Sequence, residues 1–400
     1  MKKSLIALAA LAAVSAASAQ TSSLTIDGYI DRGYVSTNNT NNLKDAKSVS
    51  SNAGTTTVGI KGSEDLGGGL KAGFSVNTDW SEASGQSQDG TAPTPSQSGF
   101  ANSQSFLDLA SAQFGTLRLG NPNSEVLGAV TSIASPAFST GIGSAYSSSF
   151  SIHNGIGNGA TGSNNIFSNS TVGVGAAGVG TNAGQRQIRQ ANTIKYMSPA
   201  YMGFSAVFAT VRKNDTNGTT DVVGVTEFAV NYANGPLAVV YAQTKAEVGA
   251  NGGANLTGNS ATNGSALTAN SSSTMSILGA SYQVLPMLKL HAGLGRSTSS
   301  GMVATSQATG VGSIADTSSY QVGATYAVTP VINVLAQYVK VNDKSVANVD
   351  RTLTGLGADY NFSKTTRAYF RYDNINYASN QVAFNGSKQT RTAVGVSKAF

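Results

Sequence analysis

Few positions in this sequence combine residue types that catalysis or ligand binding requires. His153 and His291 are far apart, and neither has a Cys, Asp or Glu at the spacing of a zinc site or a catalytic triad. The glycines at 67–69 precede Lys71, but no Lys-Ser or Lys-Thr pair follows to complete a phosphate-binding loop. Residues 214–218 lack the downstream acid of a calcium loop. The sequence therefore predicts no enzymatic activity, no metal site and no cofactor.

Charged residues at alternating positions carry a different kind of information. Where the other face of an extended segment is apolar, the basic positions on the polar face are Lys61, Lys71, Arg118, Arg189, Lys195, Lys289, Arg367, Arg371 and Arg391. The acidic positions on the same faces are Asp27, Asp31, Asp108, Glu227, Asp359 and Asp373. For any one of these cations, solvation or pairing with one of these acids explains its position as well as a functional role does. As a set, these residues indicate a polar surface with an electric field along it, and not the site of a chemical reaction.

The composition narrows the class of protein. Charged residues make up only 11% of the chain, against about a quarter in ordinary soluble domains, and 46 residues are glycine. A disordered secreted polymer has a similar composition, but here apolar and aromatic residues recur in ordered, alternating blocks. The net charge of +6 is dispersed without a basic run, which argues against nucleic-acid binding. The chain has no cysteine, so disulfides do not stabilise it.

The N-terminus carries an export signal. Lys2 and Lys3 precede an apolar stretch over residues 5–17, and Ala17-Ser18-Ala19 is the small-residue pattern that signal peptidases recognise. Residues 1–19 are therefore predicted to be a signal peptide and residues 20–400 the mature chain. The apolar stretch is too short to span a bilayer, and no later segment approaches the roughly 20 apolar residues of a membrane helix. A membrane-spanning form of the mature chain must be built from strands.

Short turns and long polar stretches alternate along the mature chain. The short turns are at residues 64–69, 113–116, 198–203, 233–236, 285–287, 328–331 and 362–365. The polar stretches, rich in Gly, Asn, Ser and Thr, are at residues 38–50, 84–98, 249–272 and 297–319. Turn residues between extended segments predict hairpins. Seven turns with both termini on the same side predict about sixteen strands.

The distribution of apolar residues separates two all-β alternatives. Alternation such as Ile332, Val334 and Ala336 against polar neighbours fits a half-buried strand of a soluble sandwich as well as a membrane barrel. The aromatic residues favour the barrel, because they cluster beside the turns and at the C-terminus, as a girdle at a membrane interface would. They are Tyr196, Tyr201, Phe204, Tyr232, Tyr282, Tyr326, Tyr360, Phe362 and Phe400.

Several stretches resemble the general porins of Gram-negative outer membranes, in the branch found in beta-proteobacteria and neisseriae. The most specific match is Gly-Ser-Glu-Asp-Leu-Gly-Gly-Gly-Leu-Lys-Ala-Gly-Phe at residues 62–74, similar to that family's first periplasmic turn. Residues 23–29, 114–120, 192–199 and 355–364 and the terminal Phe400 also match. The resemblance implies a transmembrane antiparallel β-barrel of about sixteen strands, with short periplasmic turns, long extracellular loops and a third loop folded into the pore.

The resemblance also implies a function and partners. Such a protein is a homotrimer in the cell outer membrane, in contact with lipid and lipopolysaccharide, and each barrel is a diffusion channel for small hydrophilic solutes and ions. Lipid-facing Gly28, Ala72 and Ala368 are small enough to allow close packing between barrels. A substrate-specific outer-membrane channel and a surface adhesin barrel remain alternatives, although neither a long passenger nor a lumen helix is evident in the sequence.

Two departures from the family pattern bear on ion preference. Asn121 stands where the family usually has an arginine, and Glu125 is the only acid between Pro122 and Arg186. The loop over about residues 121–186 is predicted to be the inward constriction loop rather than a solvated surface loop, because it contains apolar residues that can pack against a wall. These are Val126, Leu127, Ile133, Phe138, Ile142, Tyr146, Phe150 and Ile152.

The pore lining follows from these positions. The predicted pore-lining and constriction residues are Lys61, Lys71, Arg118, Glu125, Arg189, Lys195, Arg367 and Arg371. Wall cations with few opposing loop acids create a field that favours anions in a narrow constriction. We expect weak to moderate anion selectivity, with Arg118, Lys71 and Lys61 as the main contributors.

Overall fold

The structure is a computed structural model in which strands dominate. It describes residues 22–39, 44–50, 52–79, 101, 103–145, 189, 192–212, 223–248, 272–300, 316–344, 350–377 and 388–400. The predicted signal peptide, His153, the possible calcium turn at 214–218 and the loop residues 146–188 lie outside these ranges. Within the described ranges, no helix is both long enough and apolar enough to cross a membrane.

Seventeen strands are present in the described part of the chain. They are β1 (Ser22–Asn39), β2 (Lys44–Ser50), β3 (Thr57–Gly67), β4 (Leu70–Asp79), β5 (Ser105–Ser111), β6 (Gly115–Asn121), β7 (Thr193–Met197), β8 (Phe204–Val211), β9 (Val223–Asn234), β10 (Leu237–Val248), β11 (Ser272–Leu285), β12 (Leu288–Ser300), β13 (Asp316–Ala327), β14 (Ile332–Asp343), β15 (Arg351–Asn361), β16 (Thr366–Tyr377) and β17 (Lys388–Ala399).

The sheet closes on itself. From β3 onward each strand pairs antiparallel with the next, and β17 pairs with β1 from Tyr29↔Ala399 to Asn39↔Gln389. At the final residue, the Gly28 amide donates to the Phe400 carbonyl at 3.0 Å, and the Phe400 amide donates to the Gly28 carbonyl at 3.1 Å. A closed ladder leaves no strand edge unpaired, which is what a lipid environment requires of a spanning sheet.

The barrel has sixteen staves, although the chain forms seventeen strands. β1 pairs with β3 along its first half, from Ser22↔Glu64 to Tyr29↔Thr57, and with β2 along its second half, from Arg32↔Ser50 to Asn38↔Lys44. β2 and β3 are thus two parts of one stave, interrupted between Ser50 and Thr57. The prediction of an antiparallel barrel of about sixteen strands is confirmed.

The interruption of the second stave has a specific cause. The carboxylate of Asp31, a fully buried residue, accepts hydrogen bonds from the amides of Ala53 at 2.6 Å and Gly54 at 3.1 Å. The Tyr369 hydroxyl donates to the same carboxylate, and the Asp31 amide donates to Thr56 Oγ1 at 3.1 Å. Asp31 therefore supplies acceptors for two amides of the broken ladder.

The two faces of the strands differ as the alternation predicted. Large apolar side chains such as Leu107, Leu119 and Phe208 are exposed on the outside, while residues at alternate positions, such as Ala209 and Val240, are buried on the inside. An exposed apolar surface that encircles a protein indicates lipid as its solvent. The aromatic residues flank the short turns, where Phe204 stacks near Tyr232 with centroids 4.6 Å apart. We call this the turn end of the barrel and the opposite end the loop end.

We expect Gly28→Ala to weaken the closure of the barrel. A Cβ at Gly28 would lie 2.5 Å from Phe400 Cζ and 2.7 Å from the Thr57 carbonyl oxygen, and the backbone atom cannot move without opening the ladder. Such overpacking costs about 1–3 kcal/mol. Urea titration of the folded band on unboiled gels should show a lower midpoint than for the wild type.

The matched control for this substitution is Gly73→Ala on β4, two staves from β1. There an added Cβ would meet its nearest neighbour at 3.5 Å, an ordinary contact, so stability should stay close to that of the wild type. Equal midpoints for the two variants would show that the Gly28–Phe400 contact is not what limits closure.

Candidate pore and constriction loop

The chain leaves β6 and enters the barrel. A short helix, α1 (Glu125–Ala129), a π-helical turn (Val130–Ala134) and a 3-10 turn (Pro136–Phe138) follow one another along the inner wall. Ser124 caps α1, because its hydroxyl accepts a hydrogen bond from the Leu127 amide at 3.2 Å. We call residues 124–145 the inner loop. The prediction that the third loop folds into the pore is confirmed for these residues, and the part beyond residue 145 lies outside the described ranges.

Polar side chains of the wall hold the middle of the inner loop. His291 Nδ1 on β12 donates to the Ala134 carbonyl oxygen at 3.0 Å. Gln337 on β14 contacts the loop twice: its Nε2 donates to the Gly143 carbonyl oxygen at 2.9 Å, and its Oε1 accepts from the Ser135 hydroxyl. These backbone carbonyls would otherwise be buried without donors, so the wall side chains complete the hydrogen bonding of the loop.

The end of the inner loop is bonded to the wall on both sides of β1, at β16 and at the break between β2 and β3. The Gly143 amide donates to Asp373 Oδ2 on β16 at 2.9 Å. The Ile142 amide donates to the Asn52 carbonyl oxygen at 2.9 Å, inside the break between β2 and β3. The inner loop thus runs from β6 past β9–β16 to the interrupted stave, and that interruption is one of its docking points.

Small wall residues allow the inner loop to lie against the strands. A Cβ at Gly279 or Gly293 would come within 2.9 or 2.8 Å of the Ala134 Cβ. A Cβ at Gly355 would lie 3.1 Å from the Gly143 Cα. Glycine inside a strand costs stability by itself, and here it permits a close approach of backbone to backbone. These three glycines therefore set how far the loop protrudes into the lumen.

Apolar side chains fill the space between the inner loop and the wall. Val126, Phe138 and Ile142 are almost completely buried, and Leu127 is 8% exposed. Val126, Val130 and Ala134 belong to one buried cluster, with Ile133 packed against it. Its wall members are Val207, Ala229, Val240, Ala242, Met275, Ile277, Val339, Val341, Leu353 and Ile375. Five of the predicted loop contacts therefore pack as predicted, whereas Tyr146, Phe150 and Ile152 lie outside the described ranges.

A buried ion cluster fixes the beginning of the inner loop. The Lys195 side chain, 2% exposed on β7, lies 2.9 Å from Glu125 Oε1 and 3.8 Å from Glu227 Oε2. Lys195 Nζ also donates to the Asn123 carbonyl oxygen at 2.7 Å. The Glu125 amide donates to Glu227 Oε2 at 3.3 Å, which ties the loop directly to β9. Glu125, the single acid of the predicted loop, is thus held against the wall.

A second cation group lies on β5 and β6. Arg118 donates to both oxygens of Asp108 through Nε and Nη2, each at 2.8 Å, and its guanidinium lies 3.6 Å from the centroid of the Phe106 ring. A bidentate pair stacked on an aromatic ring fixes the orientation of the guanidinium. Both side chains keep about a fifth of their surface exposed to the lumen.

A third group lies on β15–β17. Asp359 accepts from Arg367 at 3.1 Å and pairs with Arg371 at 2.8 Å, so two cations share one acid. Arg371 is almost fully buried and lies 5.8 Å from the Phe138 ring centroid of the inner loop. Nearby, Arg391 pairs with Asp373, the acid that also holds the Gly143 amide. This side of the lumen therefore combines excess positive charge with a docking site for the loop.

The remaining predicted cations differ in exposure and in pairing. Lys61 pairs with Asp27 at 2.6 Å, with about half of each side chain exposed. Arg189 pairs with Asp79 at 3.1 Å and donates to Asn123 Oδ1 at 2.9 Å. Among the described residues, Lys71 and Lys289 make no ion pair. Both are inward positions beside turns, on staves that lie on opposite sides of the barrel.

The structure groups the predicted pore-lining residues into separate clusters. Glu125 joins Lys195, and Arg367 joins Arg371. Arg118 pairs with Asp108 and lies directly opposite Lys195 in the register of β6 and β7, and Arg189 bonds to Asn123, as Lys195 does. Lys61 and Lys71 belong to neither cluster. The assignment of all these residues to the pore lining stays a prediction. Residues that sequence reasoning missed are His291, Gln337, Asn52, Asn123, Tyr369 and Phe106, which position the loop or the cations. Three of them could have been found from the sequence, because the alternation of apolar and polar residues places His291, Gln337 and Tyr369 on the inward face.

Comparison with known proteins agrees with this geometry. Residues 7–380 match a family described as Gram-negative porin. The chain belongs to that family. The outer membrane porin protein 32 of Delftia acidovorans is 32% identical to this porin over 429 residues, covering 100% of both chains. This porin is accordingly an outer-membrane channel, and its turn end faces the periplasm.

Solved structures show the same barrel. The anion-selective porin from Comamonas acidovorans superposes with a TM-score of 0.70 at 25% identity, over 95% of this chain and 100% of that chain. The Vibrio cholerae outer membrane protein OmpT, described in a trimer form, has a TM-score of 0.57 at 13% identity, over 95% of this chain and 100% of that chain. At that identity the second likeness concerns the fold alone.

We expect Lys195→Met to destabilise the porin strongly. The substitution leaves Glu125 and Glu227 close together without their cation, in a site where Lys195 and Glu227 are almost fully buried. Removing one partner of a buried ion pair costs about 3–5 kcal/mol. Denaturant unfolding in detergent should show this loss of free energy of unfolding.

The matched control is Lys61→Met, which breaks an exposed pair with Asp27. Exposed pairs contribute about 0–1 kcal/mol, so its unfolding midpoint should stay near that of the wild type. If the two methionine variants lose the same stability, burial of the Lys195 cluster is not what holds the loop.

Proposed function

We propose that this porin is a general diffusion channel for small hydrophilic solutes and ions, with a weak preference for anions. Solutes would pass between the inner loop and the strands that it does not contact. The observation that carries this proposal is the packing of the loop. It lies against β7–β16, which leaves the wall formed by β3–β6 to face the passage.

The proposed path is lined by the predicted cations of that wall. Lys61, Lys71 and Arg118 project inward from β3, β4 and β6. On the other side, the only acid of the described inner loop, Glu125, is occupied by Lys195 and by the backbone of its own segment. The loop thus offers little opposing negative charge, and a solute between the two surfaces meets mainly positive charge.

Pairing limits how strong this preference is. Asp108 and Asp27 offset the charges of Arg118 and Lys61, so these two pairs act mainly as local dipoles. Lys71 and Lys289 have no ion-pair partner among the described residues, and Arg367 shares Asp359 with Arg371. The excess charge is small, which supports weak rather than strong selectivity. The anion selectivity stated for the Comamonas acidovorans porin supports the same sign.

We further propose that the porin assembles as a homotrimer in the outer membrane, in contact with lipid and lipopolysaccharide. Ala72 and Ala368 are small outward residues on neighbouring sides of the closure between β17 and β1. Gly28 has a different explanation, since the Phe400 ring occupies the space beside it. The trimer form described for the Vibrio cholerae protein supports assembly of this fold into trimers.

Charge substitutions in the proposed path should move the zero-current potential in a salt gradient. Arg118→Glu changes the local charge by two units and places a carboxylate beside Asp108, so we expect a shift toward cation preference. Lys71→Gln removes a charge that has no ion-pair partner among the described residues, and it should shift the potential in the same direction by less. Unit charges about 4 Å apart interact by roughly 1 kcal/mol in water and more in a narrow pore, so several-fold changes in selectivity are expected.

The control for this prediction is the double variant Arg118→Gln with Asp108→Asn. It removes the pair without changing net charge, so its zero-current potential should stay near that of the wild type. An unshifted potential in Arg118→Glu, or cation preference in the wild type, would contradict the proposed path. Block of the current by one solute at low concentration would instead indicate a substrate-specific channel.

Chemical cross-linking in detergent should yield trimers, and Ala72→Trp should reduce them. A bulky outward side chain at Ala72 holds neighbouring barrels apart, whereas the same substitution at Ala292, outward on β12 on the opposite side of the barrel, should leave the trimer intact. Monomers alone at every protein concentration, or equal loss in both variants, would argue against this interface.

A further inference from the structure

A titratable side chain lies buried between the wall and the middle of the inner loop. His291 on β12 is 4% exposed, and its Nδ1 donates to the Ala134 carbonyl oxygen at 3.0 Å. The rest of the ring lies over Gly323 of β13, where an added Cβ would be 2.3 Å from Cε1 and 2.6 Å from Nε2. The imidazole therefore fills the space between the loop and the backbone of the neighbouring strand, and little of it reaches the water of the lumen.

The second ring nitrogen, Nε2, is buried without a hydrogen-bond partner among the described residues. Because Nδ1 carries the proton that is donated to Ala134, Nε2 of the neutral ring is a bare acceptor. A buried acceptor without a donor is tolerated at a modest cost, whereas a charged N–H group in the same place needs both an acceptor and solvation. The site therefore fits the neutral imidazole and not the imidazolium ion.

The charged groups around His291 do not compensate for a proton on the ring. Lys289 is two residues away on the same face of β12, and its charge opposes a second positive charge. The inner-loop segment at 130–138 contains no titratable residue, and beyond β14 the inward acids Asp359 and Asp373 are paired with arginines. The inward residues that β11, β13 and β14 place beside the ring are uncharged: Ser281, Gln321, Gly323, Thr325, Leu335 and Gln337.

We propose that His291 is a proton-sensitive latch that holds the middle of the inner loop against the wall. When the ring is neutral, the bond to Ala134 keeps the loop on β11 and β12, where Ala134 lies against Gly279 and Gly293. When Nε2 takes up a proton from the lumen, the imidazolium turns toward water, and the Ala134 carbonyl oxygen loses its donor. The docked form of the loop is thus most stable with the ring unprotonated, and this stability falls as the pH falls.

The consequence of the latch is a channel that narrows in acid. The two ends of the inner loop have their own anchors, since Lys195 pairs with Glu125 and Asp373 accepts from the Gly143 amide. Release of the middle therefore lets the segment at 130–138 move away from the wall while the ends stay in place, and the space that it enters is the passage. The proposal rests on the proposed function, in which solutes pass between the inner loop and the wall formed by β3–β6.

The test is single-channel recording of the purified porin in planar bilayers, with the pH on both sides stepped from about 7 to about 4, an interval that includes the usual titration of histidine. The readout is the ratio of the acid current to the neutral current in each protein. In the wild type this ratio should fall to about one half at the pH where docked and released loops are equally populated, and further below that pH. His291→Asn should not show this fall, because the amide nitrogen can replace Nδ1 as the donor to Ala134 and cannot take up a proton.

The matched control is His153→Gln, because His153 is the only other histidine of the chain. This variant should lose current in acid as the wild type does. Acid also protonates carboxylates of the lumen, but these are the same in all three proteins, so the difference between the two variants reports on the His291 ring. Migration on unboiled gels at both pH values checks that each protein stays folded.

Nuclear magnetic resonance of His153→Gln, labelled with carbon-13 at the histidine Cε1, reports on His291 alone. Its signal should move from the neutral to the protonated position over the same pH interval in which the current falls. Persistence of the acid response in His291→Asn would overturn the proposal, and so would a protonated ring with full current or a current that never falls. Block of the current by one solute at neutral pH would instead contradict the general diffusion channel, while the pH comparison would still decide the latch.

Discussion

The pairing of β17 with β1 is the interaction on which the rest of the structure depends. In lipid every backbone amide and carbonyl needs a partner within the protein, and only a closed ring of strands provides one for each stave. The paired amides and carbonyls of Gly28 and Phe400 complete that ring at the turn end. Once the ring is closed, alternation leaves each side chain two choices, lipid or lumen, and the charged residues of the middle of each strand are directed to the lumen.

A ring of sixteen staves encloses more space than its own side chains fill, and the inner loop occupies part of it. Polar residues on the inner face of the wall hold the loop: Gln337 and Asp373 each form a hydrogen bond with it. The interrupted second stave belongs to the same arrangement. Asp31 stabilises the break, and the break in turn offers the Asn52 carbonyl to the loop. Closure, interruption and loop docking are therefore one connected hydrogen-bonded system.

The sequence was sufficient for the barrel and the strand number, because the short turns give the number of hairpins and the aromatic residues beside them favour a barrel over a sandwich. The inward direction of the charges follows from the period of two. The sequence could not show which acid pairs with which cation. Arg118 and Asp108 lie directly opposite each other on β6 and β5, whereas Arg371 reaches Asp359 diagonally, and the register that decides this is set by turns and shear. From the sequence alone, Gly279 and Gly293 are simply glycines that weaken a strand. Their role is visible only in the structure, where Ala134 lies against them. The Asp31 bonds were equally invisible, since their donors lie in a break that no alternation marks.

The burial of each ion pair determines how much stability is lost when one of its charges is substituted. The Lys195 cluster is buried and holds the loop, so altering it changes the fold along with the field. The Lys61–Asp27 pair is half exposed, and Lys71 is exposed without a described partner, so altering these residues costs little stability. The residues that hold the inner loop are thus largely distinct from the cations proposed to line the passage. A porin built in this way can change its ion preference while it keeps the same constriction.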